Sequence, residues 1–229
     1  MSLCLYGFMR ELEEKIGYVF KDKGLLKHAL THCSYGAEHN EKHNQRLEFL
    51  GDAVLENVIS NYIYHKFEDY DEGRLTRLRA SIVSEEPLSG AAERIGLSEH
   101  ILLGAGEKAS GGANKPSVLS DTLEALFAAV YLDGGFSAAE KVILSVLDET
   151  LKDPKERPSD YKTALQEYLF RNGNVDIDYK LLSVDGPSHN ATFTAQVFCN
   201  GKPLGKGVGT SKKRAEQAAA KEALNKIKK

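Results

Sequence analysis

Four carboxylates, in two pairs far apart along the chain, are the side chains best placed to do chemistry. Glu48 and Asp52 stand four residues apart within Gln45–Leu55, which reads Gln-Arg-Leu-Glu-Phe-Leu-Gly-Asp-Ala-Val-Leu. Asp121 and Glu124 stand three apart within Ser117–Leu132. On a helix either spacing puts both acids on one side. If the two helices pack together, all four can converge. They would then repel each other unless protons or cations neutralise them. An all-oxygen ligand set favours a hard divalent ion, Mg²⁺ or Mn²⁺, over zinc. Such ions make water a usable nucleophile and stabilise an in-line displacement at phosphorus. Other readings stay open on residue types alone. The acids can simply face water. Paired carboxylates also serve glycoside hydrolysis, although the chain has no Trp with which to line a sugar cleft. A helical di-iron site needs Glu-x-x-His, and none of the seven histidines has a Glu at that spacing.

The elements that must carry these acids are legible as apolar periodicity. Leu47, Leu50, Val54 and Val58, continued by Ile59, Tyr62, Ile63 and Phe67, predict one long helix from about Asn44 to Phe67. Gly51 sits inside it at a cost of roughly 1 kcal/mol against Ala, which implies close approach by a neighbouring helix or a ligand. The second acidic helix buries Leu119, Leu123, Leu126, Phe127 and Val130 and stops at Gly134-Gly135. Around these two, short helices are expected at Met9–Ile16, stopped by Gly17, and from an Asp22 cap to Leu30. Others follow through Arg74, Arg77 and Arg79, over Glu86–Ile95, and over Ser137–Leu151. The three arginines suit either a solvated face or one turned toward phosphates. Ala37–Asn44 reads as a polar loop, Asp71-Glu72-Gly73 as the end of the long helix, and Gly104–Gly112 as a glycine-rich loop. That loop is no phosphate-binding P-loop, because no Gly-Lys-Ser/Thr closes it. The expectation is an all-α domain over residues 1–152.

Composition bounds the rest. With 41% hydrophobic and 28% charged residues the chain belongs with ordinary soluble proteins. No apolar run approaches the roughly 18 residues of a membrane span, and no secretory signal layout opens the chain. Three separated cysteines fit reduced thiols and a cytoplasmic location. The net charge of −3 hides an asymmetry. Residues 159–229 hold 12 Lys/Arg against 7 Asp/Glu, whereas residues 1–158 hold 18 against 26. An acidic front and a basic tail predict two domains, the basic one a candidate for meeting a polyanion. The proline-bearing stretch 153–158 is the expected linker.

The second domain, 159–229, reads as α-β-β-β-α. A helix capped by Ser159 or Asp160 runs to about Arg171, with Gly173 as its stop. Strands follow at Ile177–Val184, at the alternating Thr192–Cys199, and at Lys202–Val208 after an Asn200-Gly201 hairpin turn. Ser211 caps a closing Ala-rich helix. Lys212, Lys213 and Arg214 lie at its positive dipole end, where cations are disfavoured but where a phosphate backbone would meet N–H groups and ammonium ions together. Gln166 and Glu167 on the first helix, with Pro187, Ser188 and His189 in the loop between the first two strands, suit contacts to 2′-hydroxyls in an RNA minor groove.

Taken together the motifs resemble bacterial ribonuclease III. The likeness is carried by Arg46–Leu55 (Arg-Leu-Glu-Phe-Leu-Gly-Asp-Ala-Val-Leu), Ala29–His32, Asp71–Gly73 and Ser120–Ala125. In the tail, Gly186–His189 and Ser211–Glu216 are similar to a double-stranded-RNA-binding domain. The resemblance implies an α+β multidomain protein, with an N-terminal all-α ribonuclease III domain and a C-terminal double-stranded-RNA-binding domain. It further implies Mg²⁺, with Mn²⁺ as a substitute, bound by Glu48, Asp52, Asp121 and Glu124, with Asp52 and Glu124 indispensable for cutting. Homodimerisation through the helical domain follows, as do 5′-phosphate and 3′-hydroxyl products from ribosomal, messenger and transfer RNA precursors. Glu72 matches an acidic accessory position. Gln45 departs from the family pattern, which commonly has Glu there, and leaves the site one negative charge short. The rival reading is a non-catalytic dimer that binds duplex RNA; retention of all four acids favours the enzyme.

Overall fold

A computed structural model describes residues 3–152, Pro154, 161–171, 175–186 and 191–227, without the side chains of 3–8 and Glu167. It divides into two compact units, Met1–Glu156 and Arg157–Lys229. Among the described residues no helix is long and apolar enough to cross a membrane.

The first unit is helical. Its elements are α1 (Leu3–Ile16), α2 (Lys23–Leu30), α3 (Cys33–His39), α4 (Gln45–Lys66), α5 (Glu72–Ile82) and α6 (Glu85–Arg94). These are followed by α7 (Ala105–Ala109), α8 (Pro116–Gly134), α9 (Phe136–Val146) and α10 (Asp148–Lys152). The long acidic helix and its partner are α4 and α8, within two residues of the boundaries their periodicity predicts. They pack closely against each other, and Leu55, Ile59, Leu119, Leu123 and Leu126 on them are all fully buried. Burial of this kind contributes roughly 1.5–3 kcal/mol per large aliphatic side chain. Asp22 caps α2 as expected, its carboxylate accepting from the Gly24 amide at 2.7 Å. Gly17 and Gly96 end their helices with φ of 69° and 66°.

Four local expectations differ. Ala37–His39 is the last turn of α3, and Asn40 in the left-handed region (φ 52°) supplies the stop. Asp71 does not end α4; it caps α5, accepting from the Arg74 amide at 2.8 Å. Within Gly104–Gly112, residues 105–109 form α7, whose first amide is held by both oxygens of Glu38 at 3.0 Å. The helix expected over Ser137–Leu151 is broken at Leu147 into α9 and α10.

The second unit is a three-stranded antiparallel sheet in the order β1-β2-β3, flanked by α11 (Tyr161–Arg171) and α12 (Lys212–Ile227). The strands are β1 (Ile177–Asp185), β2 (Thr192–Cys199) and β3 (Lys202–Gly209). The Asn200-Gly201 turn has positive φ at both residues, 49° and 73°, as a tight hairpin requires. On β2, Ala195 and Val197 point into the core with Leu165, Ala219, Ala220 and Ala223. Gly205, Gly207 and Gly209 of β3 lie so close to the backbone of α12 that a Cβ at any of them would overlap it. The Ala-rich helix and the alternating glycines are thus two halves of one close contact. The helix cap at Ser159 or Asp160, the stop at Gly173 and most of the linker fall outside the described residues.

Candidate active site

The site is built where α4 crosses α8. Gly51 is buried at the crossing, and a Cβ there would overlap the carbonyl oxygen of Glu124 and lie 2.5 Å from its carbonyl carbon. The close approach implied by a mid-helix glycine is therefore met by a neighbouring helix, and at the very residue that carries the fourth acid. Asp52 follows Gly51 directly, Glu48 lies one turn earlier, and Asp121 lies one turn before Glu124.

The four acids lie near enough to feel one another's charge. Glu124 is pushed up to about 8, chiefly by burial and then by the charges of Asp52, Asp121 and Glu48. Glu48 is raised by burial, then by Asp121 and Asp52. Asp121 is also raised by burial, with Glu85 adding to the effect. The Ser120 hydroxyl, which donates to Asp121 Oδ1 at 3.3 Å, and His32 both work against that rise. Glu48, Asp121 and Glu124 are half-buried, and Asp52 is exposed on the solvent side. Buried like charges cost free energy unless a cation or proton compensates. Four oxygen donors around a partly open position suit a hard divalent ion that keeps some of its waters.

His32 and Glu85 are additions that periodicity did not single out. His32 was legible only as part of the Ala29–His32 motif. Its ring caps α3, with Nδ1 accepting from the Ser34 amide at 3.3 Å. Glu85 opens α6. Among the described residues, the group that brings three candidate ligand atoms within 4.8 Å of one another is Glu11, Glu99 and His100. Lys15 lies against that group, pairing with Glu11 at 2.9 Å and sensing the charge of Glu99. No three of Glu48, Asp52, Asp121 and Glu124 meet that spacing.

Glu72 stands elsewhere. It is exposed on the first turn of α5, accepts from the Thr76 hydroxyl at 3.4 Å, and shares a cavity of about 390 Å³ with Ser60, Tyr64, Tyr70 and Arg79. Gln45 is the exposed first residue of α4, one turn before Phe49. Phe49 itself is 82% exposed. Beside it on α4, Leu47 and Leu50 help line a cavity of about 650 Å³ together with Leu25, Arg46 and Leu132.

In the second unit Lys212 and Lys213 are exposed in the first turn of α12, whose Arg214 amide is capped by Ser211 Oγ at 3.2 Å. Lys212 lies 4.0 Å from Glu216, and Arg214 Nη1 donates to the Thr210 hydroxyl at 3.0 Å. Gln166 is exposed on α11. Pro187, Ser188 and His189, and the side chain of Glu167, lie outside the described residues.

Comparison with known proteins agrees with this anatomy. Residues 22–150 match a family described as Ribonuclease-III-like, and residues 161–227 match the double-stranded RNA binding motif. The chain is 47% identical over 222 residues to Ribonuclease 3 of Streptococcus thermophilus, covering 95% of this chain and 97% of that one. It is 50% identical over 222 residues to Ribonuclease 3 of Caldanaerobacter subterraneus, covering 94% and 96%. Among solved structures, a nuclease domain of ribonuclease III from Campylobacter jejuni matches with a TM-score of 0.60 and 43% identity, over 62% of this chain and 98% of that one. That structure was described for flexibility in a region involved in dimer formation.

Proposed function

We propose, for a chain that belongs to the ribonuclease III family and is by that membership a double-stranded-RNA endoribonuclease, that Glu48, Asp52, Asp121 and Glu124 hold Mg²⁺ and carry the cleavage. The observation that carries this reading is Glu124. Its carboxyl is pushed up to about 8 by burial and by three other acids, a state that a bound cation would relieve. Mn²⁺ fits the same oxygen donors. A divalent ion there would supply positive charge at the phosphodiester and acidify water at neutral pH.

The chain's own residues do the rest. Asp52, the exposed member, faces the position an RNA strand would occupy. Glu124, deepest of the four, keeps its proton near neutral pH until positive charge arrives, so its ionisation is tied to loading of the site. Asp52 and Glu124 are accordingly assigned as the pair without which cutting fails. Glu72 and Gln45 are accessory. Lys212 and Lys213, with Gln166, Glu167, Pro187, Ser188 and His189, grip the duplex from the basic domain over 159–229, joined to the catalytic domain (1–152) by residues 153–158. Lysine contacts to phosphates and contacts of the other groups to 2′-hydroxyls supply affinity without sequence preference.

The enzyme works as a homodimer through its helical domain. An 82% exposed Phe near a cavity that four leucines share with polar residues such as His28, His43 and Arg46 supports this, because each copy offers both an aromatic knob and a recess with an apolar part. Cutting leaves 5′-phosphate and 3′-hydroxyl ends on precursors of ribosomal, messenger and transfer RNA in the cytoplasm. Glu124→Gln tests the reading. It should abolish cutting of a long duplex in Mg²⁺ while a gel shift in Ca²⁺ stays near the parent; normal cutting by the variant would show the site misassigned.

A further inference from the structure

Asn44 precedes α4 and is 2% exposed. An Asn in that position ordinarily caps its own helix through its side chain, yet here the side chain makes no cap. It turns across to α8 instead, where Nδ2 donates to Thr122 Oγ1 at 3.4 Å. Thr122 is 0% exposed, and its hydroxyl proton is committed to the Val118 carbonyl at 2.7 Å, so the oxygen is free to accept. The Asn44 backbone is equally engaged. Its amide donates to Thr31 O at 2.8 Å, and its carbonyl accepts from Leu47 and Glu48 at 2.8 and 2.9 Å.

The placement of this contact matters. Asn44 and Gly51 are seven residues apart, roughly 10 Å along the helix, and both touch α8. Glu48 lies between them, hydrogen-bonded through its own amide to Asn44, and Asp52 follows the second contact. On α8, Thr122 is next to Asp121, and Glu124 forms the other side of the Gly51 contact. These two contacts, about two turns apart on α4 and two residues apart on α8, add to the apolar packing of the helices and lie beside the acidic pairs. Every carboxylate of the site is therefore within four residues of one of them.

We propose that Asn44, acting through Thr122, is a positioning residue that sets the separation between the Glu48/Asp52 pair and the Asp121/Glu124 pair. The inference rests on the reading of those acids as the metal-binding set. Groups bonded directly to metal ligands change affinity 10- to 100-fold when lost; Asn44 and Thr122, which adjoin the acids in the chain and bond each other, belong at the low end of that range.

The test uses the full-length chain free of RNA, titrated with Mn²⁺ by calorimetry, together with cleavage at varied Mg²⁺. Thr122→Val keeps the volume and removes the acceptor; it should weaken Mn²⁺ binding about tenfold and raise the Mg²⁺ needed for half-maximal kcat, with KM for duplex RNA unchanged. Thr122→Ser, which keeps the hydroxyl, should restore both. Asn44→Ala should match Thr122→Val, and the double variant should be no worse than either, since both remove one interaction. Should Asn44→Ala fail to fold, the Thr122 pair decides alone. Parent-like Mn²⁺ affinity in Thr122→Val, with binding lost in Asp52→Asn, overturns this inference and leaves the metal site standing. Parent-like affinity in Asp52→Asn overturns both.

Discussion

The α-carbon of Gly51 rests against the carbonyl of Glu124, with no room for a methyl group between the helices that carry them. The contact joins two residues far apart in sequence. It also makes the spacing of the acidic pairs depend on one missing side chain.

Gly51→Ala sets two effects against each other. Ala gains about 1 kcal/mol of helix propensity. The new methyl meets backbone, which cannot change rotamer to escape, and overpacking of this kind costs about 1–3 kcal/mol. Net destabilisation is expected, read as a lower urea midpoint at unchanged slope. Cleavage should fall more than stability does, because the acids part. A variant as stable and active as the parent would show that the helices do not meet there in solution.

Glu124 has a pH signature in the metal-free protein. Its folded value of about 8 lies above its ordinary 4.5, so between them the folded state holds more protons than the unfolded. Stability from this group is complete below pH 4.5 and is lost as pH rises through 8. Glu124→Gln removes the dependence. With chelator present the variant should melt on the order of 2–4 °C above the parent at high pH, corresponding to about 1 kcal/mol. At low pH the difference should vanish. A constant offset across the range would contradict the assignment.

Phe49→Ala should shift the chain toward monomers in sedimentation at micromolar concentration. Aromatic anchors in the middle of an interface carry about 2 kcal/mol or more of binding. The melting temperature of the diluted protein should change little, because the side chain is exposed within one copy. An unaltered dimer would place the pairing surface elsewhere.

Lys212→Ala with Lys213→Ala should lower duplex affinity and flatten its salt dependence. Two lost phosphate contacts correspond to a drop of about 2 in the slope of log K against log salt. An unchanged slope would remove the start of α12 from the interface.

Much of the fold is local and therefore legible. Apolar residues at helical spacing locate α4 and α8, although α8 is buried on all sides from Ala125 to Val130, and Asn200-Gly201 fixes its hairpin because few dipeptides tolerate two positive φ angles. Where local polarity misleads, packing is the cause. Ala37–His39 is polar but helical because α3 is capped by His32 and stopped by Asn40. Asp71 reads as a helix end because the same residue type serves turns and caps alike.

The amino-acid sequence by itself determines that Glu48 shares a side with Asp52, and Asp121 with Glu124, because helical spacing follows from backbone geometry alone. It also determines the α-β-β-β-α order of the basic domain. Only the tertiary structure decides that the two acidic faces meet, that Glu124 is the deepest of the four, and that Asn44 turns away from its own helix to hold Thr122. Those facts depend on which helix surfaces lie together, and that is settled by shape and burial summed over the whole core rather than by any short run of residues.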